Sequence, residues 1–184
     1  MSASYEIERK YLVKMPIFPL PEKDEASEIT QTYLVTPPEI SERVRCRDGR
    51  YTHTRKVRVS GIKAEETEET IDRAQYEALL QKRDPALRSI QKVRHVFVYR
   101  GQKFELDVFP FWKKQAMLEI ELEKEDTPVD FPPFLSCIRE VTDDPAYKSG
   151  HGPADSGGIG NDFQRLPVIQ WTGRCSFCRR NAVD

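Results

Sequence analysis

Residues 42–59 read ERVRCRDGRYTHTRKVRV. Two runs of period-two alternation flank Asp48-Gly49, a dipeptide suited to a tight turn between two neighbouring strands. Successive side chains of a strand point to opposite faces, so Arg43, Arg45 and Arg47 share one face and Val44 and Cys46 the other. On the return strand Thr54, Lys56 and Arg58 oppose Val57 and Val59. The hairpin therefore has an apolar face and a cationic one.

The same alternation extends in both directions. Strands are predicted at residues 5–13, 28–35, 42–47, 51–59, 64–71, 90–99, 103–109 and 117–123, with Arg100-Gly101 as a second tight turn. The first sets Glu6, Glu8 and Lys10 against Tyr5, Ile7 and Tyr11, with Arg9 the odd member. Glu66 and Glu68 mark the fifth strand, and Lys92 and Arg94 the sixth. The seventh sets Glu105 and Asp107 against Phe104, Leu106 and Val108. The eighth sets Glu119, Glu121 and Glu123 against Leu118, Ile120 and Leu122. Helix is the minority signal: Asp72 caps a helix through about residue 83, with Tyr76, Leu79 and Leu80 on one face. A second short helix is expected over 134–138 after Pro132 and Pro133, and the proline-rich 15–23 reads as an irregular crossover.

Short connections imply antiparallel neighbours, giving an α+β chain dominated by antiparallel β-structure. The charged faces have two placements. In an open sheet they form a solvated exterior, the usual fate of a charged strand face. In a closed eight-stranded barrel they line a tunnel able to hold one small ligand. Segregation of sign favours closure, because some strands are cationic and others anionic, whereas a surface tuned for solubility mixes both along each strand. A charged interior must be wet, paired and built for a charged guest. Otherwise it is a set of paired salt bridges in a structural barrel.

Composition narrows the classes further. The 184 residues carry 29 basic and 30 acidic side chains, so no global field draws the chain to nucleic acid or a membrane. No apolar run approaches the ~20 residues that span a bilayer, and the N-terminus lacks a signal-peptide core, so a cytoplasmic location is expected. Cys46, Cys137, Cys175 and Cys178 are too few and scattered for a disulfide framework, and reduced thiols are expected. One domain over 1–149 and a Gly-rich, loosely packed tail over 150–184 complete the organisation. In that tail Cys175-x-x-Cys178 lacks two further zinc ligands, and His151 is isolated. His53 and His95 read as ordinary strand residues, and Trp112 as a rim residue.

Arginine and lysine walls suit a chain of phosphates, since guanidinium engages oxygens bidentately. Carboxylates instead hold Mg²⁺ or Mn²⁺, which bridge to phosphate oxygens. At this point the motifs EIERKYLV, ITQTYL, ERVR, THTRK, KVRH, ELDVF, LEIEL and REVTDDPAY, in this order over about residues 5–148, resemble those of the CYTH domain, or triphosphate tunnel metalloenzyme, superfamily. The resemblance implies an eight-stranded tunnel that transforms triphosphates with a divalent metal. It implies a metal wall of Glu6, Glu8, Glu119 and Glu121, with Glu105 and Asp107 assisting; Glu66 and Glu68 support metal or water in catalysis. It implies phosphate contacts from Arg43, Arg45, Lys56, Arg58, Lys92 and Arg94. Lys10 binds an oxyanion or, were its pKa lowered by neighbouring cations, helps activate water. Ala64 stands where relatives often carry Arg, and Val57, Arg58 and Val59 replace a Gly-rich turn.

Similarity to small bacterial-type inorganic triphosphatases makes tripolyphosphate the leading small-molecule substrate. The runner-up is a nucleotide-using member, such as an adenylate cyclase or a nucleoside or thiamine triphosphatase. A third reading is a non-catalytic polyphosphate- or RNA-binding module. No apolar slot for a base is visible in the sequence. Oligomeric state is left open, a homodimer included.

Overall fold

The computed structural model describes residues 4–15, 17, 25–60 and 62–147. Its strands are β1 (Ser4–Lys14), β2 (Glu25–Tyr33), β3 (Ile40–Arg47), β4 (Arg50–Arg58), β5 (Lys63–Ile71), β6 (Ile90–Tyr99), β7 (Gln102–Val108), β8 (Gln115–Glu121) and β9 (Cys137–Glu140). One helix, α1 (Arg73–Leu80), and a 3₁₀ turn over Pro145–Tyr147 complete the described elements. The expected tail over 150–184, with Cys175, Cys178 and His151, lies outside the described residues, as does most of 15–23.

The sheet runs β5-β4-β3-β2-β6-β7-β8-β1, all antiparallel, and pairing of β1 with β5 closes it into an eight-stranded barrel. β1 achieves closure by dividing its length. Ser4 to Ile7 pair with β5, while Glu8 to Lys14 pair with β8 along the other edge. Beyond β5 the first edge of β1 would stand unpaired, and β9 fills it opposite Tyr11, Leu12 and Val13. This corrects the helix expected over 134–138: a turn closed by Leu135 N–H donating to the Pro132 carbonyl (2.9 Å) delivers the chain into β9. Edge hydrogen bonding outweighed the local pattern. In both tight turns the two central residues are left-handed, with φ of 48° and 83° at Asp48-Gly49 and 48° and 80° at Arg100-Gly101. That geometry matches the twist of a two-residue hairpin, and glycine adopts it without a Cβ penalty.

Two covers exclude water from the outside of the barrel. α1 begins with a reciprocal cap, in which Asp72 accepts from the Gln75 backbone (2.8 Å) and Gln75 accepts from the Asp72 backbone (2.9 Å). It ends at Leu80, short of residue 83, because Arg83 bridges to Leu34. Tyr76, Leu79 and Leu80 pack on Leu34, Val44, Cys46 and Ile71. The opposite wall, with Phe97, Phe104, Leu106, Leu118 and Ile120 buried, is covered by Val129, Phe131, Phe134 and Leu135. Each such aliphatic or aromatic side chain contributes about 1.5–3 kcal/mol when withdrawn from water.

Inside, alternation puts the charged residues in one layer. At one end the same inward positions turn apolar. Leu12, Tyr33, Ile90 and Met117 cluster there with Phe109, Val141 and Tyr147, closing part of the barrel behind Lys10. Phe109, Phe111, Trp112 and Tyr147 form a chain of ring contacts at this rim, with centroids 5.1–6.2 Å apart. Among the described residues no helix is long and apolar enough to cross a membrane.

Candidate active site

A cavity of about 250 Å³ runs through the charged layer. β3 lines it with Arg43, Arg45 and Arg47, β4 with Lys56, β6 with Arg94 and β7 with Lys103 and Glu105. β1 contributes Glu6, Glu8 and Lys10, β5 contributes Glu66 and Glu68, and β8 contributes Glu119 and Glu121. Seven cations thus face seven carboxylates. Arg47 and Lys103 were not nominated from the sequence, although each shares the parity of nominated neighbours two residues away. Arg58, Lys92 and Asp107, expected at the site, do not line this cavity: Arg58 lines a second chamber, while Lys92 and Asp107 are buried, with Asp107 bound to Lys92 and Arg94.

The cations divide into committed and available groups. Arg94 donates from Nε and Nη2 to the two oxygens of Asp107 (both 2.6 Å), and also to Glu105 and Glu119. Lys92 Nζ donates to Asp107 as well. Burial lowers the Lys92 pKa to about 8, with Arg94 adding to that and Asp107 opposing. Burial acts against the Arg94 charge too, but Glu119 and Asp107 outweigh it and hold its pKa above the ordinary value. Asp107 has 1% of its side chain exposed, so it buckles Lys92 and Arg94 together. The β3 arginines differ. Arg43 and Arg45 each have a buried Nε without a hydrogen-bond partner, and Arg45 reaches Glu68 only at 3.7 Å. Burial, then repulsion from Arg43 and Arg94, lowers the Arg45 pKa to about 10. Crowded guanidinium groups with unused donors are an arrangement that an anion relieves.

Two lysines punctuate the acidic wall. Lys10 Nζ lies 2.8 Å from Glu119 and 3.3 Å from Glu8. Burial alone would depress its pKa; Glu119 and Glu8 more than reverse this and raise it. With these carboxylates beside it, the charged form of Lys10 is favoured. Lys56 Nζ lies 2.8 Å from Glu6, 3.1 Å from Glu66 and 3.6 Å from Glu8. The Glu119 carboxyl, despite burial, is held well below the ordinary range by Lys10, Arg94 and Lys92. Glu121 is the opposite case, pushed up by partial burial and by Glu6, with Glu105 and Glu8 adding to it.

Among the described residues no three His, Cys, Asp or Glu side chains are arranged to hold a metal ion. The donor set nevertheless fits a hard divalent cation. Glu8 and Glu121 sit opposite each other across β1 and β8, and the repulsion that raises Glu121 is what a cation among these oxygens would remove. The side chains now turned to Lys10 and Lys56 would have to re-aim.

A second chamber, about 830 Å³, opens beside this wall and shares Glu6, Glu8, Lys10 and Lys56 with it. Its remaining lining includes Tyr33, Leu34, Pro37, Pro38, Ile40, Val59, Ile62 and Leu87. Glu39, Glu42, Arg58, Lys63 and Asp84 line it as well, so it is a mixed chamber with an apolar portion, which the sequence did not reveal because segments far apart in the chain assemble it. Outside the barrel, His53 stands between Glu42 (3.4 Å) and Glu69 (3.2 Å), a surface contact away from the tunnel.

The closed eight-stranded barrel with its charged lumen has a counterpart among known domains: residues 4–132 match the CYTH domain. The chain belongs to the CYTH domain family. Among solved structures this CYTH chain is similar to the inorganic triphosphatase NE1496, at 34% identity over 79% of this chain and 95% of that one, with a TM-score of 0.53. It is also similar to a conserved hypothetical protein from Pyrococcus furiosus (18% identity, 66% and 80% covered, TM-score 0.51). A third likeness is to an adenylate cyclase candidate from Bacillus halodurans (17% identity, 68% and 84% covered, TM-score 0.55). At the last two identities the likeness concerns the fold alone. A search of curated proteins found no match.

Proposed function

We propose that this CYTH protein hydrolyses linear triphosphates in a divalent-metal-dependent reaction, with inorganic tripolyphosphate as leading substrate and pyrophosphate and phosphate as products. The observation that carries this reading is the pair of β3 guanidinium groups, Arg43 and Arg45, with buried unpartnered Nε donors facing a carboxylate wall across a 250 Å³ cavity. The likeness to a solved inorganic triphosphatase supports it.

In this reading Arg43, Arg45 and Arg47 receive the phosphate oxygens, and Lys10 adds a fixed positive charge. Asp107 positions Lys92 and Arg94. Glu6, Glu8, Glu119 and Glu121 are the residues that would hold the cation, with Glu105 beside them. Bound Mg²⁺ or Mn²⁺ supplies charge neutralisation and Lewis-acid polarisation of the phosphate oxygens. The wall is electroneutral by count, so a polyanionic guest needs cations of its own. A water oxygen forms the new bond to the terminal phosphorus as the bridging P–O bond breaks, and pyrophosphate departs with the electron pair. Glu68, which accepts from Thr54 (2.8 Å) and faces Arg45, takes the water proton, and Glu66 is its neighbour on the same face.

A second reading is favoured by the second chamber, whose apolar portion has room for an organic group with its triphosphate in the tunnel. Phosphate release from tripolyphosphate, ATP and thiamine triphosphate, each with Mg²⁺, Mn²⁺ or chelator, tests both. Fastest release from tripolyphosphate supports the first reading. Preference for ATP or thiamine triphosphate shifts the assignment to the second, and tight binding without turnover or metal response leaves a binding module.

A further inference from the structure

We infer that the Lys56 ammonium and a divalent cation compete for the same carboxylates, so that filling the metal site turns Lys56 from the acidic wall towards the substrate. The inference rests on the metal-dependent reading above and concerns how metal and substrate sites are coupled.

Lys56 Nζ is held by Glu6 at 2.8 Å, Glu66 at 3.1 Å and Glu8 at 3.6 Å. These carboxylates come from β1 and β5, the two strands whose pairing closes the barrel, and Lys56 lies directly opposite Glu66 across β4 and β5. The two oxygens of Glu8 are divided, Oε1 towards Lys10 at 3.3 Å and Oε2 towards Lys56. An ammonium is a compact point charge with three donors, and here it stands where a cation sharing those oxygens would stand. A Mg²⁺ ion needs its ligand oxygens at roughly 2.0–2.1 Å, so an ammonium among the same oxygens would face it at close range. Both positive charges cannot keep those ligands.

The displaced ammonium has somewhere to go. Lys56 lines both the tunnel and the chamber, and across β3 and β4 it is paired with Ser41, two residues from Arg43. A four-carbon stem lets Nζ leave the acidic wall and join the arginine side, where phosphate oxygens would receive it. Metal binding thereby creates a phosphate contact. By linkage, phosphate bound to Lys56 in turn vacates the carboxylates and tightens the metal. Lys103, paired within 4 Å with Glu105 alone at 2.8 Å among the described residues, lacks this three-way hold.

The test is Mn²⁺ titration of the substrate-free protein, read by electron paramagnetic resonance of free Mn²⁺, for wild type, Lys56→Met, Lys56→Arg and Lys103→Met. Competition predicts that Lys56→Met binds Mn²⁺ about tenfold more tightly than wild type, an ordinary size for coupled sites. Lys56→Arg, which retains the charge, remains within about threefold of wild type, and Lys103→Met gains less than about fivefold, as expected for an exposed charge. Equal affinity in Lys56→Met and wild type, or equal gains in Lys56→Met and Lys103→Met with native circular dichroism, overturns the inference. Should Lys56→Met not fold, Lys56→Gln carries the same expectation. Absence of Mn²⁺ binding in every form overturns the metal-dependent reading itself, a result distinct from binding that ignores Lys56.

Discussion

Replacing Arg94 by methionine separates a structural buckle from a phosphate grip. In the folded protein the guanidinium holds both oxygens of Asp107 at 2.6 Å, and the Asp107 side chain is 1% exposed. Arg94→Met leaves that carboxylate with Lys92, whose own pKa is already lowered to about 8 by burial. Removing one partner of a buried ion pair costs about 3–5 kcal/mol, because the remaining charge keeps its desolvation penalty. At about 2–4 °C per kcal/mol for a chain of this size, the melting temperature should fall by about 6–20 °C. Urea titration with an unchanged slope measures the loss directly. Adding Asp107→Asn to Arg94→Met should recover at least about 1.5 kcal/mol, because Lys92, whose pKa burial already lowers to about 8, can shed its proton once the carboxylate is gone and no buried charge remains. A loss under about 1 kcal/mol in the single variant, or additivity within about 0.5 kcal/mol in the double, refutes the buckle and returns Arg94 to the substrate.

Three further outcomes are expected. The Glu119 value in the folded protein lies below its unfolded value near 4.5, so its stabilisation is complete above that pH and is lost as pH falls through the folded value; Glu119→Gln should flatten the acid limb of stability followed by circular dichroism. Lys10→Arg should retain substrate affinity while Lys10→Met loses roughly tenfold, and the pH–rate profile should show no deprotonation of Lys10 near neutrality, since Glu119 and Glu8 raise its pKa. Asp72→Ala should cost about 1 kcal/mol by removing the α1 cap, with no change in KM for tripolyphosphate.

Much of this molecule is legible in alternation. The arginines of residues 43–47 and the carboxylates on the first, fifth and eighth strands reach the same lumen because parity, once closure is granted, leaves no other face for them. Parity would also have found Lys103 and Arg47. It could not show that Lys92, Arg94 and Asp107 bind one another, because that depends on the register of β6 against β7, where Arg94 lies opposite Asp107. Nor could it show the change from charged to apolar at Leu12, Tyr33, Ile90 and Met117, which share inward positions with the charged layer but belong to four strands. The chamber escaped for a related reason: its apolar lining is drawn from separated loops and strand ends, none of them periodic. The helix expected over 134–138 took in Cys137 and Ile138, the first half of β9, because those residues carry no alternating pattern; the free edge of β1 determines the strand.

The central claim, a metal-dependent triphosphatase, is tested most directly by ³¹P nuclear magnetic resonance of tripolyphosphate incubated with the full chain. The account predicts pyrophosphate and phosphate accumulating in equal amounts with Mg²⁺ or Mn²⁺, no conversion with chelator, and restoration when metal is returned. Tripolyphosphate left intact under every metal condition, by protein that is folded and binds it, contradicts the account.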